Sequence, residues 1–155
     1  MANLGALSQR SAVIAGLVAV GVPALAADCA ALDRWIMQTD VGAVEPFALA
    51  SISGADIDGK CGTSLALSGA RSVHCAWPFA YRAQAATQTF VQVSELLSRC
   101  LDADSPASDD QIVNHPDSYD LRVFVTDQVT VSVSLKDKGA LQQTFVFLRA
   151  ERPPA

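Results

Sequence analysis

Apolar and polar residues alternate most regularly over residues 129–135. Val129, Val131, Val133 and Leu135 fall on one side, Thr130, Ser132 and Ser134 on the other. A period of two is the mark of a β-strand, and one apolar and one polar side is the pattern of an antiparallel sheet with one wet face. Residues 73–81 repeat it, with Val73, Cys75, Trp77, Phe79 and Tyr81 on a common face. Pro78 lies inside that run and has no N–H to give to a ladder, so the strand is expected at a sheet edge or at a bulge. Residues 47–57, 63–67, 121–126 and 144–149 read as further strands. The last differs from the rest: Phe145 and Phe147 face one way, Val146 and Leu148 the other. Apolar on both sides, it is expected to be either a covered central strand or part of a contact surface.

A different period governs residues 83–101. Ala86, Phe90, Val93, Leu97 and Leu101 recur every three or four positions, while Gln84, Gln88, Gln92, Glu95 and Arg99 stay polar. This predicts an amphipathic helix. A shorter helix is expected over 29–38, from Ala30, Ala31, Leu32, Trp35 and Ile36, with Asp28 as its cap. It cannot run on through Pro46, which holds Glu45 extended. Turns are expected at Asp58-Gly59-Lys60, at Gly69-Ala70 and at Lys136-Asp137-Lys138-Gly139. The acidic stretch 102–110, DADSPASDD, carries no apolar payload and reads as a loop. The order is then helix, three strands, long helix, three strands. That is an α+β domain whose antiparallel sheet carries the long helix on one face.

The N-terminus changes the address. After Arg10 comes the apolar run 12–22, then Pro23 and the small-x-small triplet Ala24-Leu25-Ala26. This is the plan of a secretory signal peptide, and the run is too short for a membrane span, which takes about 20 apolar residues. Asp28 before Cys29 does not suit a lipoprotein, and Gln9-Arg10 lacks the paired arginines of a twin-arginine signal. Residues 1–27 are therefore expected to be a signal peptide and 28–150 a single domain, with 151–155 as a flexible tail. The destination is the periplasm or the exterior, with no membrane span after cleavage.

Charge and cysteine content narrow the class. The chain has 11 basic and 16 acidic residues. Loss of Arg10 with the signal would leave 10 basic residues and a net charge of −6. No Lys/Arg cluster is present to neutralise a phosphate backbone, which excludes nucleic acid as the expected partner. Cys29, Cys61, Cys75 and Cys100 all lie past residue 27. Four cysteines in a small exported domain point to two disulfides, and their spacing lacks the close pairs of a metal site. The favoured pairing is Cys75–Cys100 with Cys29–Cys61. A strand rising about 20 Å from Cys75 and a helix returning about 25 Å to Cys100 would bring those two to one level.

Candidate chemistry is sparse. Asn114, His115, Asp117, Ser118, Tyr119 and Asp120 form the densest polar group. A hydrolase could be drawn from His115 with Ser118 or a carboxylate, but triad members normally come from separate elements and no G-x-S-x-G elbow exists. Two histidines, His74 and His115, are too few for a catalytic zinc, and neither Asp56-Ile57-Asp58-Gly59 nor Asp102-Ala103-Asp104 continues as a calcium loop. No cofactor or metal is expected. The chain reads as a non-enzymatic binding domain for an envelope protein, a small ligand or a second copy of itself. A small hydrolase and an enzyme inhibitor are the alternatives. The expected contact surface joins Asn114, His115, Asp117 and Tyr119 to Lys136 and Lys138, as polar loops on a rigid sheet.

Overall fold

A computed structural model describes residues 24–38, 44, 47, 58–101 and 119–153. The elements in chain order are helix α1 (Ala24–Met37), strands β1 (Lys60–Leu65) and β2 (Arg71–Ala80), helix α2 (Gln84–Leu101), then strands β3 (Tyr119–Val125), β4 (Thr130–Lys138) and β5 (Gln143–Arg152). The five strands form one antiparallel sheet in the order β1-β2-β5-β4-β3. The α+β class, the antiparallel sheet and two disulfides thus agree with the pattern of the chain. The expected strand over 47–57 lies outside the described residues, apart from Phe47, which is buried against Trp35 with ring centroids 5.7 Å apart.

Alternation decides which face is dry. Val73, Cys75 and Trp77 on β2, Val146 and Leu148 on β5, and Val131 and Val133 on β4 are all at most 1% exposed. Register stacks them in rows: Val133 lies opposite Leu148, and Leu148 opposite Cys75. Helix α2 lays Phe90, Val93, Leu96 and Leu97 on this face, against β3, β4 and β5. Each such side chain gains about 1.5–3 kcal/mol from leaving water. Helix α1 packs beside α2 and adds Leu32, Trp35 and Ile36 to the same core. It starts at Ala24, five residues before the expected boundary at 29.

Pro78 sits where its chemistry allows. The β1 ladder ends at Lys60 opposite Ala76, so at Pro78 strand β2 is paired with β5 alone. The hairpin between β1 and β2 closes through Ala66–Ala70, with Gly69 at φ 85°, a left-handed conformation that suits glycine.

Three expectations are corrected. The disulfides are Cys29–Cys100 and Cys61–Cys75, not Cys75–Cys100 with Cys29–Cys61. Hairpin register places Cys61 directly opposite Cys75, and the packing of α1 on α2 brings Cys29 to the end of α2. Lys136-Asp137-Lys138 is not a turn but the last stretch of β4, with the reversal made by a short 3-10 turn at Gly139–Leu141. Asp137 points inward, 4% exposed, and explains why the strand continues. Its carboxylate accepts hydrogen bonds from Thr144 Oγ1 at 2.6 Å and Arg82 Nε at 2.9 Å. Thr144 Oγ1 accepts in turn from the Arg82 backbone N–H at 2.7 Å. Bonding to Asp137 raises the pKa of the Arg82 guanidinium further above its already high ordinary value. Finally, β5 continues to Arg152, so residues 151 and 152 belong to the sheet and not to a tail.

Candidate functional site

The other face of the sheet is the place to look for function. Among the described residues both helices pack on the core side, and no helix lies over the opposite face. That face is not uniformly polar. Strand β3 offers Tyr119, Leu121 and Val123, and β5 offers Phe145 and Phe147, whose rings stack at 5.6 Å. Between them β4 presents Ser132, Ser134, Lys136 and Lys138. Apolar side chains on β3 and β5 thus flank a polar stripe on β4, which lies between them.

A trough of about 520 Å³ runs over this face. Ser132 and Ser134 form part of its lining, with Tyr119, Leu121 and Phe147 among the apolar residues. Its charged residues are Lys136, Lys138 and Arg149, with His74 beside them. Among the described residues no Asp or Glu lines it. Register explains the grouping. Tyr119 is paired with Lys136, Leu121 and Phe147 both face Ser134, and Arg149 stands between Ser132 and His74.

Two contacts position its charges. The Lys136 ammonium lies 5.2 Å from the Tyr119 ring centroid, within cation–π range. The Arg149 guanidinium is paired with Glu151, two residues along the same strand face. His74 lies over Gly62, where a methyl group would come within 3.4 Å of its imidazole Nε2. His74 thus occupies the face of β2 opposite Val73 and Cys75. A second, smaller cavity of about 320 Å³ lies between α1 and the β3–β4 connection, where Asp33, Met37, Gln128 and Arg152 give it no single charge character. Among the described residues no cluster of three or more His, Cys, Asp or Glu side chains is placed to hold a metal ion.

Of the expected contact residues, the structure brings Tyr119, Lys136 and Lys138 into one trough. Asn114, His115 and Asp117 lie outside the described residues, as does Ser118. Among the lining residues outside that expected set are Phe147, Ser134 and Arg149. Phe147 has a signal in the doubly apolar last strand, and Ser134 in the wet face of the regular alternation. Arg149 has none, because only strand register carries it to His74 and Ser132.

No protein-family model matches the chain, and no curated protein does. Among solved structures it is similar to CalU16 from Micromonospora echinospora, at 11% identity and a TM-score of 0.30, over 64% of this chain and 70% of that one. A likeness this slight transfers neither fold nor function. Among the described residues no helix is long and apolar enough to cross a membrane. Two disulfides are consistent with an oxidising or extracellular compartment.

Proposed function

We propose that this chain is an exported, disulfide-stabilised binding domain, non-enzymatic, whose outer sheet face is the binding surface. The observation that carries the reading is the amphipathic trough. A face meant only for solvent has no reason to line up Tyr119, Leu121 and Phe147 around Ser134, Lys136 and Arg149. Rigid strands supply the positions, and concave, partly apolar sites with a few converging polar groups are where ligands bind. Export follows from the 1–27 pattern, and the two disulfides support it by the chemistry of the compartment. Delivery there places an envelope protein, a small ligand or a second copy of the chain within reach.

The test is affinity capture from an envelope extract, with three forms of the protein compared side by side. Ser134→Trp fills the trough. Leu141→Glu changes an exposed side chain on the 3-10 turn away from it. The reading predicts a retained species with the wild type and Leu141→Glu that is missing with Ser134→Trp. Retention indifferent to Ser134→Trp would contradict it.

A further inference from the structure

The trough has a sign. It gathers Lys136, Lys138 and Arg149, and among the described residues it is lined by no carboxylate. This happens in a chain where acidic residues outnumber basic ones, 16 to 11. A local concentration of one charge against the bias of the whole chain is a statement about what belongs there. Glu151 moderates it at one end through its bond to Arg149. At the other end, the Tyr119 ring orients the Lys136 ammonium without neutralising it.

Resting on the binding reading above, we infer that the trough takes a small organic anion with an aromatic or otherwise apolar body. The anionic head would meet Lys136 and Lys138, with the hydroxyls of Ser132 and Ser134 as donors to its oxygens. The body would lie against Tyr119, Leu121 and Phe147. Volume sets the scale, because about 520 Å³ falls within the range of small-molecule sites, roughly 300–1,000 Å³. A phosphate polymer would need a longer basic track than three side chains, and a purely inorganic anion would leave the apolar side of the trough without a partner.

A matched pair of fluorescent probes tests this. 8-Anilinonaphthalene-1-sulfonate carries the anion, and N-phenyl-1-naphthylamine has the same aromatic body without it. Both are titrated into the full-length gene product, exported by its host and purified with its disulfides formed. Comparison is with Lys136→Glu/Lys138→Glu and with Ser134→Trp, each checked for folding by thermal unfolding. The inference predicts one sulfonate site per chain, weakened by added salt. It predicts a loss of about tenfold or more in that affinity with the double charge reversal, and weaker binding of the neutral probe that the reversal leaves unchanged.

Equal affinity for the two probes, insensitive to charge reversal but lost in Ser134→Trp, would overturn the anion inference and leave the binding surface standing. No sulfonate binding by the wild type would also overturn the inference. Probe binding that survives Ser134→Trp would overturn both.

Discussion

Cys29 in α1 and Cys100 in the last turn of α2 are bonded across 71 residues of chain, with their Cα atoms 5.2 Å apart. The bond fastens an N-terminal helix that also packs through Leu32, Trp35 and Ile36 and accepts a hydrogen bond at Met37 Sδ from Arg152. In the chain-entropy picture its stabilisation grows with the loop it closes. Replacing Cys29 and Cys100 with Ser should cost about 4 kcal/mol, and the same change at Cys61 and Cys75, which close a loop of 14, about 3 kcal/mol. Denaturant unfolding measures both. Non-reducing peptide mapping should recover Cys29 joined to Cys100 and Cys61 joined to Cys75, and a Cys75–Cys100 peptide would refute the fold as described.

The buried carboxylate of Asp137 makes a second prediction. Asp137→Ala leaves the Thr144 hydroxyl and the Arg82 guanidinium without their acceptor at the corner between β2 and α2. Loss of about 1–3 kcal/mol is expected from the buried Thr144 hydroxyl, the usual penalty for stranding a buried polar group, while the exposed Arg82 guanidinium turns to water. Thermal or denaturant unfolding of Asp137→Ala against wild type measures it. Lys138→Ala, one residue on and facing outward, is the control and should change stability little.

How much of this was legible in the chain depends on whether the cause is local. The alternation of Val129 to Leu135 and the 3.6-residue rhythm of Ala86, Phe90, Val93 and Leu97 come from side chains and their near neighbours, so β4 and α2 stand where the pattern puts them. Lys136-Asp137-Lys138 looks like a turn because its partner Arg82 lies 55 residues away, beyond any local rule. The disulfide pairing was legible by a signal left unused. Cys61 and Cys75 each lie seven residues from Ser68 at the centre of the β1–β2 turn, so hairpin register makes them opposite. Comparing strand and helix lengths set Cys75 level with Cys100, but level is not adjacent. The trough was half legible: Tyr119, Lys136 and Lys138 come from polar composition, whereas Arg149 enters through pairing alone.

Gly59 has a packing reason of its own. A Cβ there would overlap the indole of Trp77, a side chain only 1% exposed and unable to swing aside. Gly59→Ala should destabilise by about 1–3 kcal/mol, the scale of overpacking. The same titration should show altered Trp fluorescence in the native baseline.

Export makes its own prediction. The small-x-small triplet Ala24-Leu25-Ala26 lies in the first turn of α1, just ahead of Cys29. We expect the protein recovered from its host's envelope to begin at Ala27 or Asp28, with Cys29 already bonded. Intact mass measured with and without reductant reads both. A chain still beginning at Met1 would place the protein on the other side of the membrane or anchored in it.

The binding face is tested most directly by mapping where a ligand touches. Backbone amide chemical shifts of the labelled protein are followed as 8-anilinonaphthalene-1-sulfonate is added. The account predicts that the largest shifts fall on Tyr119, Leu121, Ser134, Lys136 and Phe147, across three strands of the outer face. Shifts centred instead on Asp33, Met37, Gln128 and Arg152 would move the site to the smaller cavity beside α1 and contradict it.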